Sequence, residues 1–236
     1  MDAPVAISIV IPAFNEEKRL PIFLDQVVAY CQHAEKRHEI IVVDDGSRDH
    51  TFHIAMSYRA TYPNLSVVRL TKNQGKGYAV KRGLLKARGR ICLFLDADGS
   101  VSPAEITKNV HYLEEGPYEL FVGSRVLTDR QQTLQIQWYR KCVGLVFNWC
   151  VRTFLFNTIQ DTQCGFKMFK REIMRPLFSK CHLRGFGFDI EMLYLAHKMG
   201  YQVKEGPVSW RHVHGSKVNL VVDSVKIGRA SCRERV

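Results

Sequence analysis

The sequence lacks any run of 18 consecutive apolar residues, about the minimum for a membrane-spanning helix. It also lacks a paired Cys-x-x-Cys spacing, and its seven cysteines lie mostly within apolar patterns. We interpret Cys92, Cys142 and Cys150 as small buried or interfacial hydrophobic residues in a reducing compartment. No signal-peptide pattern precedes Ile7. These absences predict a chain that is cytosolic or peripheral to a membrane.

Acidic side chains are in the minority, with 23 Asp and Glu against 34 Lys and Arg and a formal net charge of +11. Such a surplus suits nucleic acid, a nucleotide diphosphate, a lipid phosphate or an anionic membrane surface. The sequence has no nucleic-acid recognition motif and no basic run interleaved with aromatic residues. We therefore expect no nucleic-acid partner.

A glycine-rich phosphate loop is also missing after the first apolar run. Sugar nucleotidyltransferases begin with a Gly-Gly-x-Gly-Thr-Arg-Leu-like segment, whereas residues 12–17 (PAFNEE) contain no glycine. Gly75, Lys76 and Gly77 give only a weak signal, because the strand-to-phosphate pattern of Rossmann and Walker motifs is absent. The cation of Lys76 at the start of a predicted helix still favours phosphate.

Two carboxylates directly follow the apolar run 91–95 (ICLFL), which is typical of a buried strand in a mostly parallel sheet. Asp96 and Asp98 would then lie at the carboxyl end of the strand, where open α/β sheets bind ligands. Their oxygens are the ligands that Mg²⁺ or Mn²⁺ prefers, alongside substrate phosphates. Taken alone, the motif is more typical of a solvated turn, in which Asp is common.

Two further apolar runs end in the same way. Residues 39–43 (EIIVV) precede Asp44 and Asp45, and residues 7–11 (ISIVI) precede the polar turn 12–17. Three acidic strand ends on one presumed sheet favour a single ligand cleft over three unrelated turns.

The order of the patterns predicts a doubly wound α/β sheet. Helical periodicity covers 17–31, 49–62 and 75–86, and residues 65–70 and 119–123 are predicted strands. Another helix is predicted to begin at Pro103, with Ser102 as its N-cap.

Residues 134–157 have a different character, with thirteen aromatic or aliphatic side chains interleaved with Arg140, Lys141 and Arg152. The segment is too charged to span a bilayer but suits an amphipathic helix lying in the membrane interface. The same pattern would also suit a helix pair that covers the sheet.

The length suits one domain, which we place at residues 1–226. Residues 227–236 (IGRASCRERV) correspond to the translation of a common sequencing adapter, so we expect them to be an artefact and the native C-terminus to be missing.

Three motifs in the first half resemble the family 2 inverting glycosyltransferases, which have the GT-A fold. They are residues 10–16 (VIPAFNE), 42–49 (VVDDGSRD) and 96–98 (DAD). Three later motifs resemble the dolichyl-phosphate β-glucosyltransferase branch and its polyprenyl-phosphate relatives: 161–167 (DTQCGFK), 188–191 (FDIE) and 215–217 (GSK). The resemblance implies a Rossmann-like, mostly parallel sheet flanked by helices.

The resemblance implies transfer of a hexose, with UDP-glucose as the expected donor, onto a polyprenyl or dolichyl monophosphate. Mg²⁺ or Mn²⁺ would be the cofactor. The reaction would take place at the cytosolic face of a membrane, the endoplasmic reticulum in a eukaryote or the plasma membrane in a prokaryote. A phosphate acceptor has a second pKa near ~6 and is already anionic at neutral pH, so the site needs cations more than a general base.

The resemblance also assigns roles to individual residues. Metal binding falls to Asp96 and Asp98, and catalysis to Asp98, Asp189 and Arg125. The expected nucleotide-sugar site comprises Pro12, Ala13, Phe14, Glu16, Val43, Asp44, Asp45, Lys76 and Ala97. The expected acceptor-phosphate site comprises Arg125, Gln163, Arg211 and Lys217, with Asp161 beside it.

One departure from the pattern keeps further functions open. The glucosyltransferase branch carries Trp-x-Glu before Gly-Ser-Lys, whereas here Arg211 and His212 follow Trp210. Polyprenyl-phosphate mannose synthases, with GDP-mannose as donor, share the spacing of Arg211 and Lys217. The sequence is also compatible with a family 2 transferase that acts on a glycan hydroxyl and with a non-catalytic scaffold that binds a nucleotide sugar.

Overall fold

The computed structural model describes residues 4–127, 159–185 and 187–211. Seven strands run in chain order: β1 (Ile7–Ala13), β2 (His38–Asp44), β3 (Leu65–Arg69), β4 (Ile91–Leu95), β5 (Leu120–Ser124), β6 (Phe166–Lys170) and β7 (Val203–Pro207). The described helices are α1 (Leu20–His33), α2 (Thr51–Thr61), α3 (Lys76–Leu84), α4 (Glu105–Asn109), α5 (His111–Glu114), α6 (Arg171–Ser179) and α7 (Phe188–Lys198).

All seven strands form one sheet in the order β3-β2-β1-β4-β6-β5-β7. Neighbouring strands are parallel except at β6, which is antiparallel to both β4 and β5. Helices α1, α2, α4 and α5 pack on one face, and α3, α6 and α7 on the other. The predicted α/β fold with a mostly parallel sheet is therefore confirmed.

Local sequence explains most of the element boundaries. The seven residues of β2 are all buried, as expected for a central strand covered on both faces. Helix α1 has Pro21 in its first turn, where a missing N–H costs nothing, and it buries Phe23, Leu24 and Val27 against the sheet.

The helix predicted to begin at Pro103 starts later. Glu105 is its first residue. The Ser102 hydroxyl does accept from the backbone N–H of Ala104, two residues on, as an N-cap does. The backbone N–H groups of Glu105 and Ile106 donate to the carbonyls three residues before them, so a tighter turn precedes α4.

The parallel strands bring the site residues to one edge of the sheet. The carboxyl ends of β1, β2, β4, β5 and β7 all lie there, together with the start of the antiparallel strand β6. Among the described helices, none is long and apolar enough to cross a membrane. The predicted amphipathic segment 134–157 and the tail 227–236 lie outside the described residues.

Candidate active site

The carboxylates of Asp96 and Asp98 follow β4 at the carboxyl edge of the sheet. The ammonium of Lys76, from the first turn of α3, contacts both Asp96 oxygens, at 2.6 and 2.9 Å. The Asp98 carboxylate accepts a hydrogen bond of 2.9 Å from the backbone N–H of Ser100. Burial opposes the charge of Lys76, but Asp96 and then Asp189 raise its pKa above the usual value. Asp96 therefore lies beside a fixed cation.

This pair of carboxylates fits a hard divalent cation. The described part of the chain holds no cluster of three or more His, Cys, Asp or Glu side chains that could enclose a metal ion. Mg²⁺ and Mn²⁺ at phosphate-transfer sites commonly take one or two carboxylates and complete their coordination with substrate phosphates and water. Asp96 and Asp98 match that donor set.

The turn after β1 packs against the turn after β2. Pro12 lies opposite Val43 and Ala13 opposite Asp44 in the β1–β2 ladder. The backbone N–H of Asn15 donates to the Ser47 hydroxyl at 2.9 Å. Residues predicted to bind the nucleotide thus line two adjacent strand ends.

The two acidic residues after β2 have separate partners. Asp45 accepts hydrogen bonds from the backbone N–H groups of Gln74 and Gly75, at 2.7 and 2.8 Å. Burial raises its pKa, although both hydrogen bonds act in the opposite direction. The Asp44 carboxylate is buried and accepts from the backbone N–H of Ser47 at 3.1 Å. Asp45 therefore fixes the loop that presents Lys76.

The loop before α3 requires glycine. Gly75 has φ +98°, and a Cβ there would lie 2.5 Å from the carbonyl oxygen of Arg184. Asp45 holds the loop at the backbone N–H of Gly75, and the next residue, Lys76, pairs with the Asp96 carboxylate that follows β4.

Arg19 is a site residue that the sequence analysis missed. Its guanidinium binds the Glu16 carboxylate through two hydrogen bonds, one of them 2.6 Å long. This ion pair is the main reason that its pKa is raised, and the charges of Asp98 and Asp96 add to the effect. The three-residue spacing of Glu16 and Arg19 was the available signal, because it suits a side-chain pair at the start of a helix.

Arg125 comes just after β5, which lies two strands from β4 on the side away from β1. Its guanidinium makes a two-pronged ion pair with Asp161, at 2.7 and 2.8 Å, and its backbone N–H donates to the same carboxylate. Burial favours the neutral acid, but Arg125 lowers the pKa of Asp161 below its usual value. The Glu205 carboxylate accepts from the backbone N–H groups of residues 160 and 161, so the pair is held in place.

The chain after β7 passes over the loop that carries Asp98. Trp210 forms an antiparallel bridge with Val101, and the backbone N–H of Arg211 donates to the carbonyl of Ser100 at 2.9 Å. The Arg125 guanidinium carbon lies 5.9 Å from the centre of a Trp210 ring. The guanidinium of Arg125 and the backbone of Arg211, two predicted acceptor-site residues, therefore lie near the loop that follows the predicted metal ligands.

The remaining predicted residues are distributed as follows. Phe14, Ala97 and Gln163 lie in the turns at the same edge of the sheet. Asp189, at the start of α7, is almost fully buried and pairs with Lys167 of β6. Lys217 lies outside the described residues. The individual roles of these residues stay predictions.

Comparison with known proteins identifies the family. The model of the family described as "Glycosyl transferase family 2" matches residues 8–178. The chain belongs to glycosyl transferase family 2. The resemblance inferred from the sequence motifs is thereby confirmed, and with it the expectation of a glycosyltransferase.

Two curated relatives of this family 2 chain are dolichyl-phosphate β-glucosyltransferases. The protein of Dictyostelium discoideum is 35% identical over 242 aligned positions, which cover 98% of this chain and 74% of the relative. The protein of Homo sapiens is 35% identical over 230 positions, covering 92% and 71%.

Solved structures share the fold. Mannosyl-3-phosphoglycerate synthase of Rubrobacter xylanophilus has a TM-score of 0.72 at 22% identity, covering 98% of this chain and 74% of its own. Glucosyl-3-phosphoglycerate synthase of Mycobacterium tuberculosis, in complex with Mn²⁺, UDP and glucosyl-3-phosphoglycerate, has a TM-score of 0.69 at 22% identity, covering 97% and 79%.

Proposed function

We propose that the chain is an inverting hexosyltransferase that moves glucose from UDP-glucose onto a dolichyl or polyprenyl monophosphate, with Mg²⁺ or Mn²⁺ as cofactor. The acceptor is supported by relatives about 35% identical that are named dolichyl-phosphate β-glucosyltransferases. The donor and the metal are supported by a structural neighbour that binds Mn²⁺ and UDP.

The observation that carries the proposal is the placement of opposite charges at one edge of the sheet. The carboxylates of Asp96 and Asp98 lie beside the Ser100–Val101 loop, and the chain at Trp210 and Arg211 is bonded to that same loop. Arg125 contacts Trp210. This placement supports a metal–diphosphate site next to a cationic acceptor site, as a reaction between two anionic substrates requires.

Each group has a simple task in this reaction. A divalent cation bound by Asp96 and Asp98 would neutralise charge on the leaving diphosphate. Lys76 provides a fixed positive charge next to Asp96. Arg125 and Arg211 would attract the acceptor phosphate, whose second pKa near ~6 leaves it anionic at pH 7 without a general base. Orientation and charge neutralisation then supply the catalysis.

We further propose that the protein works at the cytosolic face of a membrane. Val126 and Leu127, just after Arg125, are 53% and 40% exposed. In the sequence they lead towards the aromatic and cationic segment 134–157. Exposed apolar side chains next to an acceptor-phosphate cation suit a substrate whose phosphate is attached to a lipid chain.

The test is transfer of label from UDP-glucose, GDP-mannose and other radiolabelled nucleotide sugars to dolichyl and undecaprenyl phosphate in detergent, with Mn²⁺ or with EDTA. We expect metal-dependent lipid label from UDP-glucose, which Asp98→Asn abolishes and the exposed control Asp25→Asn preserves. Label from GDP-mannose alone would identify a mannose synthase. Metal-dependent donor hydrolysis without lipid label would refute the acceptor. Donor binding with neither transfer nor hydrolysis would favour the nucleotide-sugar-binding scaffold.

A further inference from the structure

Lys167 is a charged residue in the middle of the sheet with no exposed surface. Its ammonium lies 2.5 Å from a carboxylate oxygen of Asp189 and donates to the carbonyl of Cys164 at 2.7 Å. Lysine is almost never fully buried unless it is paired, because the charge loses its hydration. An apolar side chain in β6 would avoid that loss, so the retained charge suggests a role beyond packing.

The pair lies beside Lys76. Both ammonium groups lie over the ring of Phe94, Lys167 at 5.3 Å from its centre and Lys76 at 5.7 Å. Phe188, the residue before Asp189, packs on the same ring with 5.7 Å between the ring centres. Phe94 thus anchors both lysines next to the start of α7.

Positive and negative charges alternate across this region. Lys167 pairs with Asp189, and Lys76 pairs with Asp96 at the donor site. The charge of Asp189 also stabilises the ammonium of Lys76, and Asp96 and Asp189 repel each other. The charge of Asp189 therefore contributes to the electrostatic field in which Lys76 and Asp96 pair.

We propose that Lys167 is a positioning residue of the transfer reaction, which fixes Asp189 and through it holds the Lys76 ammonium against Asp96. The inference rests on the proposed binding of a nucleotide sugar. Lys167 itself touches neither the donor nor the acceptor, because Asp189 and the sheet enclose it. Its effect should appear in donor binding, before any acceptor is present.

The test is a double-mutant cycle on the full chain with Lys167→Gln, Asp189→Asn and the combined variant. Calorimetry measures the affinity for UDP in the presence of Mn²⁺, and electron paramagnetic resonance measures the affinity for Mn²⁺ alone. We expect each single variant to weaken UDP binding by about tenfold, the lower range for loss of a supporting residue at a metal site. The combined variant should equal Asp189→Asn alone, because Lys167 acts through Asp189.

Thermal unfolding separates positioning from stability. Each single variant leaves one buried charge unpaired, so its melting temperature is expected to fall. The combined variant removes both charges, so its melting temperature should return towards that of the wild type. Weakened UDP binding in a folded Lys167→Gln variant, with equal affinity in the combined variant and Asp189→Asn, supports the inference. If Lys167→Gln fails to fold, Lys167→Arg, which keeps the charge, takes its place in the cycle. Lys86→Gln, at an exposed position just after α3, is the control and should change neither measurement.

Three outcomes would overturn the inference. Wild-type UDP affinity in the combined variant would make Lys167 a purely structural residue. Additive losses in the cycle would show that it acts independently of Asp189. A wild-type chain that binds neither UDP nor Mn²⁺ would refute the proposed donor, and the inference with it. The first two outcomes leave the proposed function intact.

Discussion

Gly165 offers a sharp test of the Asp96 geometry, because it leaves no room for a side chain. A Cβ at this position would lie 2.1 Å from an Asp96 carboxylate oxygen and 2.4 Å from its carboxyl carbon. An ordinary contact is about 3.5 Å, so Gly165→Ala must displace the carboxylate by more than ~1 Å. The Lys76 contacts at 2.6 and 2.9 Å cannot survive such a shift.

The displacement should impair activity far more than folding. The side chain of Asp96 is 30% exposed and can swing outward, so we expect a loss of only ~1 kcal/mol in the free energy of unfolding, the lower range for overpacking. A misplacement of about 1 Å at a reacting centre can cost roughly 10²-fold in rate. We therefore expect kcat/KM for glucose transfer to fall by about 10²-fold.

The assay compares Gly165→Ala with Gly185→Ala, because a Cβ at Gly185 meets nothing within 4 Å. Transfer rates and urea denaturation are measured on both variants and on the wild type. Gly185→Ala should retain wild-type kinetics. Wild-type kcat/KM in a folded Gly165→Ala variant would refute the assigned position of Asp96.

Asp98→Asn should weaken Mn²⁺-dependent UDP binding by at least about tenfold in calorimetry. Its melting temperature should change little, because Asp98 accepts only one described hydrogen bond, from Ser100. Asp161→Asn should lower the free energy of unfolding by ~1–2 kcal/mol in urea titrations. This loss is smaller than that for a fully buried ion pair, because the Arg125 side chain is 40% exposed and solvent screens its charge. Arg125 lowers the pKa of Asp161 from its usual value of 3.8. The full stability gained from the ion pair is therefore present at any pH above the pKa of Asp161 in the unfolded chain. That stability is lost as pH falls through the pKa of Asp161 in the folded protein. The free energies of unfolding of the wild type and Asp161→Asn should therefore converge as pH falls below ~3.8. A difference that stays constant with pH would contradict the ion pair. Burial raises the pKa of the Cys92 thiol to about 12, so residue-resolved mass spectrometry should find it unlabelled by iodoacetamide in the native protein at pH 8.

The shared position of the acidic strand ends could be predicted because its signals are local. An apolar run that ends in acidic residues specifies both a buried strand and the position of its carboxylates, as with Asp44 and Asp96. Parallel pairing then brings these strand ends together without further information. The fold class followed from the same alternation of strand and helix patterns.

The parts that were missed depend on contacts between distant residues. Strand β6 (FKMFK) contains a buried lysine, so its pattern does not indicate a core strand, and its antiparallel pairing with β4 has no local signal. The link from Lys167 to Asp189 appears only once that strand is placed. The ion pair of Arg125 with Asp161 likewise joins residues 36 positions apart. Arg125, Asp161 and Asp189 were named from the sequence, but their partners required the tertiary structure.

The proposed function depends above all on the acceptor being a lipid phosphate, and a side-by-side comparison of acceptors tests this. Radiolabelled UDP-glucose and Mn²⁺ are incubated with the chain and, in parallel, dolichyl phosphate, dolichol or 3-phosphoglycerate. The account predicts label in the lipid phase with dolichyl phosphate only, because cations in the acceptor site select the phosphate and the exposed apolar residues after Arg125 accept the lipid. Equal labelling of dolichol, or transfer to 3-phosphoglycerate without lipid label, would contradict it.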